Sequence, residues 1–182
     1  MSTKTIKVIT GNKGKAAELS AMLGCELECH KLDLPEIQSL DVAEVAREKA
    51  AAAYALVGAP VIVDDTGMSL DAMGGFPGAL VAWMLDATGN DGVLKLLAGE
   101  DNRAATVTTA LGYADENGVQ VFVGAVEGTI PTEERGTDGF GYDPIFIPAG
   151  HEATFAEMDA DTKNSLSMRK RAADKLRAFL EG

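Results

Sequence analysis

The spacing of apolar and polar residues predicts a chain in which helices and strands alternate. Period-two alternation or short apolar runs predict five strands, at residues 4–10, 26–32, 60–64, 104–115 and 119–128. Helical spacing predicts five helices, at residues 14–23, 41–57, 77–86, 90–98 and 161–180. Strands separated by helices are typical of α/β proteins, so we expect helices that flank a central sheet.

The middle of the chain changes this picture in one respect. Residues 115–118, Asp-Glu-Asn-Gly, separate the two longest predicted strands. An Asn-Gly pair between β-rich runs is a hairpin signal, so these two strands are expected to pair antiparallel. The sheet is therefore predicted to be mixed rather than fully parallel.

Composition limits the classes of protein that remain. The chain has 182 residues, 46% of them hydrophobic, and no stretch resembles a linker or a membrane span. We expect one globular domain over 1–182 in the cytoplasm, with Cys25 and Cys29 as reduced thiols. A net charge of −12 argues against a nucleic-acid partner but not against a single nucleotide that arrives with Mg²⁺.

The loop after the first strand is the first candidate site. It reads Thr10-Gly11-Asn12-Lys13-Gly14-Lys15 and leads directly into a predicted helix. Backbone N–H groups and the helix dipole make such a loop an anion site, and its two lysines add positive charge. The spacing differs from that of a P-loop, since Ala16 follows Lys15. A phosphorylated small molecule is the expected ligand, and an ordinary glycine-containing turn is the alternative.

A second candidate site is the acidic pair that follows Val61-Ile62-Val63. Asp64 and Asp65 come after this buried-type strand and precede Thr66 and Gly67. Ligands bind at the carboxyl ends of strands in α/β sheets, so the pair can hold a metal and activate a water molecule. Asp-Asp-Thr-Gly is also favourable turn chemistry, and a simple cap is the alternative.

Two further candidates lie in the last third of the chain. The glycine-rich segment 136–146 carries Phe140 and Tyr142, whose rings can present an aromatic face to a planar base, and Asp143, which can bond a base or ribose edge. In the last predicted helix, Lys163 and Ser167 are four residues apart and are expected on one face. Alone, each feature has an ordinary structural explanation, as a tight turn or a solvated face.

These segments together resemble the inosine triphosphate pyrophosphatase family, which hydrolyses non-standard purine nucleoside triphosphates. The resemblance runs in order along nearly the whole chain. It is carried by Thr10 to Glu18, Leu34 to Gln38, Asp64 to Gly67, Gly74 to Gly78, Gly139 to Phe146, and Ala156 to Met158 with Lys163 and Arg169. It implies a mixed α/β fold with a long central sheet, two lobes around a nucleotide cleft, a homodimer and dependence on Mg²⁺.

The resemblance also implies roles for particular residues. Asp65 matches the proton acceptor for the attacking water, and Glu36 and Asp65, with the adjacent Asp64, are the expected metal ligands. The remaining matches are expected to bind substrate, and they are Thr10, Gly11, Asn12, Lys13, Gly14, Lys15, Thr66, Phe140, Gly141, Tyr142, Asp143, Lys163, Met168 and Arg169.

Two positions depart from the family pattern. Met168 stands where the family carries a histidine that contacts the purine, and a thioether cannot donate a hydrogen bond to a 6-oxo group. Base selection is therefore expected to be looser. Ala82 and Trp83 stand where relatives carry a cation, and we expect Arg47 to substitute for it or phosphate binding to weaken.

The sequence therefore predicts a Mg²⁺-dependent pyrophosphatase that acts on ITP, dITP and XTP and cleaves between the α and β phosphates. A related enzyme of the Maf type, acting on pyrimidine or modified nucleotides, and a catalytically silent nucleotide-binding module are the alternatives. The segment from Phe76 to Leu85 is more apolar than a one-sided surface helix requires, which fits a subunit contact or core packing.

Overall fold

The computed structural model describes residues 6–11 and 13–182, and within them seven strands form one mixed sheet. The strands are β1 Ile6–Ile9, β2 Leu27–His30, β3 Val61–Leu70, β4 Pro77–Gly78, β5 Ala104–Asp115, β6 Gly118–Thr129 and β7 Ile147–Pro148. The helices are α1 Lys13–Leu23, α2 Val42–Val57, α3 Val81–Leu96, α4 Ala160–Leu166 and α5 Met168–Glu181. The predicted α/β fold with a mixed sheet is confirmed.

The strand order is β2-β1-β3-β5-β6-β7, and β4 pairs with β3 away from this row. β1 lies parallel to β2 and β3, whereas β3, β5, β6 and β7 pair antiparallel. The predicted hairpin joins β5 to β6, with Asp115 opposite Gly118 and two residues in the turn. The first strands therefore supply a parallel edge, and the hairpin supplies the long antiparallel part.

Two predicted boundaries are wrong in ways that affect the site. β3 does not end at the acidic pair but continues to Leu70, because every residue from Val61 to Leu70 pairs with β5. The last helix is not continuous, because Ser167 has φ −58° and ψ 132° and separates α4 from α5. Lys163 and Ser167 therefore do not share one helix face. The helices predicted at 77–86 and 90–98 form one helix, α3, interrupted at Gly89, and Pro77–Gly78 is strand β4 instead. Other ends shift by a few residues, and residues 4 and 5 of the first predicted strand lie outside the described residues.

The core is divided along the length of the longest strands. One half of the sheet is covered by α1 and α5 on one face and by α2 on the other. The other half packs against α3 and the segment around Phe146 and Phe155. Val63 belongs to the first half and Met68 to the second, so β3 crosses between them at residues 64–67. This crossing point is where the acidic pair lies.

Two glycines allow helices to approach the sheet closely. A Cβ atom at Gly112 would meet the backbone of Ala46 and the side chain of Ala50 in α2, and one at Gly124 would meet the backbone of Met168 and Ala172 in α5. Glycine at these points lets the helix backbone lie against the strand. Gly124 thereby sets the position of the first turn of α5, which carries Arg169.

In the described part of the chain, no helix is both long enough and apolar enough to cross a membrane.

Candidate active site

A cleft of about 630 Å³ opens at the junction of the two halves of the core. Lys15 of α1 and Asp65 of β3 both line it, so the first and second candidate sites open onto the same cleft. Six parts of the described chain form its walls, and they include Lys15, Glu18, Glu36, Asp64, Asp65, Thr66, Val81, Trp83, Leu85, Phe140, Gly141, Tyr142, Asp143, Lys163, Met168 and Arg169.

The side chains of Asp64 and Asp65 are 8% and 14% exposed, and only one oxygen of each carboxylate has a hydrogen-bond partner in the described part of the chain. One oxygen of Asp64 accepts a hydrogen bond from Arg169 Nε at 2.7 Å, and one oxygen of Asp65 accepts from Lys49 Nζ at 2.7 Å. The second oxygen of each, Oδ1 of Asp64 and Oδ2 of Asp65, is buried and makes no hydrogen bond to any residue that the structure describes. Leaving a buried acceptor unpaired costs about 1–3 kcal/mol, and more for a charged group. Such a pair is expected where a ligand completes the site.

Lys49 joins the acidic residues of two different segments. Its Nζ lies 2.7 Å from Asp65 Oδ1 and 2.7 Å from Glu36 Oε1, while its side chain is 16% exposed. Lys49 is not among the residues predicted from the sequence. Arg47, expected to replace the missing family cation, is exposed and does not line the cleft. A signal was present, because Lys49 interrupts the buried face of α2 formed by Val45, Ala46 and Ala53.

The electrostatics of this cluster favour proton transfer at Asp65. Burial raises the pKa of Asp65, and the ammonium of Lys49 opposes that shift without cancelling it. Burial works against the charge of Lys49, but the carboxylates of Asp65 and Glu36 outweigh it and raise the pKa of Lys49. A carboxylate with a raised pKa is a better proton acceptor near neutral pH.

Arg169 lines the cleft, but it is buried and paired with carboxylates. It is only 7% exposed, and besides Asp64 it contacts Glu18, with Nη1 at 3.5 Å from the carboxylate. Burial disfavours its charge, but Asp64 and then Glu18 outweigh this effect and raise the pKa of Arg169. The N-terminus of α5 supports this arrangement, because the Ser167 side chain accepts a hydrogen bond from the backbone N–H of Arg169.

The glycine-rich loop displays one of its two aromatic rings. Phe140 is 66% exposed at the cleft, whereas Tyr142 is 8% exposed and packs in the core. Burial raises the pKa of Tyr142, with the Asp143 carboxylate adding to the shift. Of the two rings, Phe140 is therefore the one exposed to a base in the cleft, and base contact by either ring stays a prediction. Gly139 adopts φ +81°, and a Cβ there would meet the carboxylate of Asp143, so this turn requires glycine.

Asp143 and Lys163 both contact Phe140. Asp143 is buried, and its Oδ2 accepts from the Phe140 N–H at 2.7 Å and from Lys163 Nζ at 2.6 Å. Lys163 Nζ also lies 5.1 Å from the centre of the Phe140 ring and 5.9 Å from that of Phe155. Asp143 is thus committed to holding the loop and the lysine, and it does not offer Oδ2 freely to a base or ribose edge.

The first loop is only partly represented in the cleft. Lys15 lines it, while Thr10, Gly11 and Lys13 do not. Thr10 closes the end of β1, since its N–H donates to the His30 carbonyl at 3.1 Å. Asn12 lies outside the described residues, and Gly14 lies in the first turn of α1. Substrate binding by these residues, Lys15 included, stays a prediction.

The remaining predicted residues, Thr66 and Met168, are both at the cleft. Thr66 Oγ1 lies 3.3 Å from Thr109 Oγ1, so the two hydroxyls share a hydrogen bond. Met168 begins α5 and is half-buried. Trp83, at the position where the family cation is missing, lines the cleft and is 73% exposed.

The residues of the cleft fit Mg²⁺ only as an ion that a ligand helps to bind. Within residues 6–11 and 13–182 there is no cluster of three or more acidic, histidine or cysteine side chains arranged to hold a metal. The unpaired oxygens of Asp64 and Asp65 are nevertheless the hard ligands that Mg²⁺ prefers. Mg²⁺ commonly takes one or two carboxylates, with phosphate oxygens and water completing its shell. The donor set therefore fits a metal shared with a phosphorylated ligand.

Comparisons with known proteins agree with this geometry. The sequence profile of the Ham1 family matches residues 6–179. A dITP/XTP pyrophosphatase of Methanopyrus kandleri is 44% identical over 170 residues, covering 91% of this chain and 90% of the relative. An inosine triphosphate pyrophosphatase of Yarrowia lipolytica is 41% identical, covering 97% and 95% of the two chains. The solved structure of the Staphylococcus aureus Ham1 protein superposes with a TM-score of 0.89 at 29% identity, over 98% of this chain and 99% of that one. The resemblance seen in the sequence is confirmed, and the chain belongs to the Ham1 family.

Proposed function

We propose that this protein hydrolyses the non-standard purine nucleoside triphosphates ITP, dITP and XTP to the monophosphate and pyrophosphate with the help of Mg²⁺. The observation that carries the proposal is the pair of buried, unpaired carboxylate oxygens of Asp64 and Asp65 in the cleft that Lys15 also lines. The relatives named dITP/XTP and inosine triphosphate pyrophosphatases support the reaction and the class of substrate.

The charges of the cleft support a metal-bound substrate. Among the described residues, three cations line it, Lys15, Lys163 and Arg169, against seven carboxylates. A bare triphosphate would be repelled by this balance, whereas a divalent cation reverses the local sign. Asp64 and Asp65 would hold that Mg²⁺ through their unpaired oxygens, whereas Glu36, the third predicted ligand, lines the same cleft but is paired with Lys49. When bound, it would neutralise charge on the phosphates and lower the pKa of a coordinated water.

The protein groups divide the work of hydrolysis. Asp65 accepts the proton of the attacking water, aided by its raised pKa. Lys49 keeps Glu36 and Asp65 together, and Arg169 keeps Asp64 in place through its 2.7 Å bond. Lys15, at the start of α1, supplies positive charge to the polyphosphate.

The base occupies the other end of the cleft. Phe140 offers an exposed ring for stacking, and Lys163 is fixed beside it by Asp143. Met168 provides an apolar contact without a hydrogen-bond donor. This wall recognises a purine mainly by its flat surface, so we propose weaker discrimination between 6-oxo purines and adenine than a histidine at this position would provide.

The decisive experiment measures pyrophosphate release from ITP, dITP, XTP, GTP and ATP, with Mg²⁺ and with EDTA. We expect ITP, dITP and XTP to yield pyrophosphate when Mg²⁺ is present and not in EDTA. Asp65→Asn should lower kcat by about 100-fold or more, as loss of a general base does, while circular dichroism stays unchanged. Asp86→Asn, at an exposed position on α3 outside the cleft, is the matched control.

Other results would point elsewhere. Tight binding of ITP without release of pyrophosphate would support the silent binding module. Preference for pyrimidine triphosphates would support the Maf-type alternative. An Asp65→Asn variant with near wild-type kcat would remove Asp65 as the base while leaving the reaction itself intact.

The proposal extends to the oligomeric state and the location of the protein. We infer a cytoplasmic homodimer, whose contact includes Trp83 and Phe76, since these side chains are 73% and 40% exposed on one apolar segment. Val81 belongs to the core instead, at 4% exposed. Sedimentation of the wild type against Trp83→Ser tests the dimer, and a monomeric wild type would refute it.

A further inference from the structure

Helix α3 is interrupted beside the base end of the cleft. Gly89 has φ 64° and ψ −173° inside the helix, a backbone conformation that residues with a Cβ rarely adopt. The next residue, Asn90, donates a hydrogen bond from Nδ2 to the carbonyl oxygen of Gly141 at 3.1 Å, across 51 positions of the sequence. The break thus places the amide of Asn90 against the loop that carries Phe140.

This bond links the loop to an element that precedes it in the sequence, whereas its other anchors come later. The Phe140 N–H donates to Asp143, and the Asp138 N–H donates to Ala156, both of which follow the loop in sequence. Leu85 of α3 comes within 3.9 Å of the point where a Cβ at Gly141 would lie. Among the hydrogen bonds of the described residues, that of Asn90 is the one that ties α3 to this loop.

The side-chain oxygen of Asn90 indicates that this residue has a role besides stabilising the fold. Its Oδ1 is buried and has no hydrogen-bond partner among the described residues. An unpaired buried acceptor weakens the folded state, and an apolar side chain would avoid that cost. The useful feature of asparagine at this position is therefore the N–H that it gives to Gly141.

We propose that Asn90 is a positioning residue that sets the width of the base end of the cleft by holding the Gly141 carbonyl against α3. Trp83 and Leu85 line the cleft from α3, and Phe140 and Gly141 line it from the loop. Fixing Gly141 fixes the gap that a purine ring has to enter. This inference rests on the proposed function, because it takes the base of the nucleotide as the occupant.

The test compares two ligands that differ in the base. Titration calorimetry measures the Kd of inosine 5′-monophosphate and, separately, of inorganic tripolyphosphate with Mg²⁺. For Asn90→Ala we expect the Kd of the nucleotide to rise about five-fold, as loss of one net hydrogen bond implies, and the Kd of tripolyphosphate to stay unchanged. In turnover, KM for ITP should rise by a similar factor with kcat nearly constant.

Two further variants separate positioning from general damage. Asn90→Asp keeps the shape but presents a carboxylate oxygen to the Gly141 carbonyl, so it should weaken nucleotide binding at least as much as alanine does. Asp91→Ala is the control, because Asp91 makes an exposed ion pair with Lys95 at 3.8 Å and does not line the cleft. It should bind both ligands as the wild type does.

The inference is overturned if Asn90→Ala binds the nucleotide as tightly as the wild type, even when its melting temperature falls. It is also overturned if affinity for nucleotide and tripolyphosphate decreases in parallel, since that would indicate a collapsed cleft. A wild type that binds nucleotide but releases no pyrophosphate would refute the proposed function and leave this comparison of affinities valid.

Discussion

Replacing Lys49 by methionine is the most informative test of how the acidic cluster is balanced. Methionine keeps an unbranched side chain but removes the ammonium that lies 2.7 Å from both Glu36 and Asp65. Asp65 is 14% exposed, and its other oxygen is already unpaired. The variant therefore leaves a largely buried carboxylate with no hydrogen-bond donor at either oxygen among the described contacts.

The expected loss of stability follows from these burials. Removing one partner of a fully buried ion pair costs about 3–5 kcal/mol. Glu36 is 51% exposed, so losing its ion pair with Lys49 costs little stability. Asp65 can also escape part of the cost by taking up a proton, since its pKa is already raised. We expect a loss of about 2 kcal/mol at pH 7, which lowers Tm by roughly 4–8 °C for a chain of this size.

The assay is thermal unfolding in EDTA of the wild type, Lys49→Met, Asp65→Asn and the double variant. Neutral asparagine no longer needs the ammonium, so the double variant should recover most of the stability lost by Lys49→Met, a coupling of about 1–2 kcal/mol. The penalty of Lys49→Met should also shrink as the pH falls, because a protonated Asp65 carries no charge to compensate. Two results would refute this reasoning. One is a double variant whose loss of stability equals the sum of the two single losses, and the other is a loss for Lys49→Met that is the same at every pH.

Three further predictions concern the fold and the base. Gly124→Ala should cost about 1–3 kcal/mol in chemical denaturation, because its methyl group would meet backbone atoms of Met168 and Ala172; a loss below about 0.5 kcal/mol would mean that α5 can shift easily. Burial, with the charge of Asp115, raises the pKa of Tyr113 from 10.0 to about 12. Because the folded state prefers the neutral phenol, this contribution to stability is complete below pH 10 and is lost as the pH rises through about 12. Tyr113→Phe should flatten the stability curve in that window, and an unchanged curve would contradict the assignment. Met168→His adds a hydrogen-bond donor at the cleft and should raise kcat/KM for ITP relative to ATP; equal ratios in the two proteins would show that position 168 does not select the base.

Much of the fold could be predicted from the sequence because its signals are local. The hairpin at residues 115–118, the helix beginning after Asp41 and the βα loop before Lys15 each follow from a short stretch of residues. The order of the motifs along the chain predicted the family, and the lysine-bearing loop and the acidic pair that the motifs singled out open onto one cleft through Lys15 and Asp65. Local periodicity and motif order were sufficient for these conclusions.

Other features depended on partners that are distant in sequence. Asp-Asp-Thr-Gly favours a turn locally, but pairing with β5 along the whole of β3 holds these residues in a strand. The helical spacing continues through Ser167, where the structure breaks the helix and Ser167 caps α5. Arg169 meets Asp64 across 105 positions, and Lys49 meets Asp65 only because α2 packs on the sheet. The sequence by itself determined which chemical groups are available and which elements carry them. Only the tertiary structure decided which charges neutralise each other, because burial and distance, rather than residue type, set those energies.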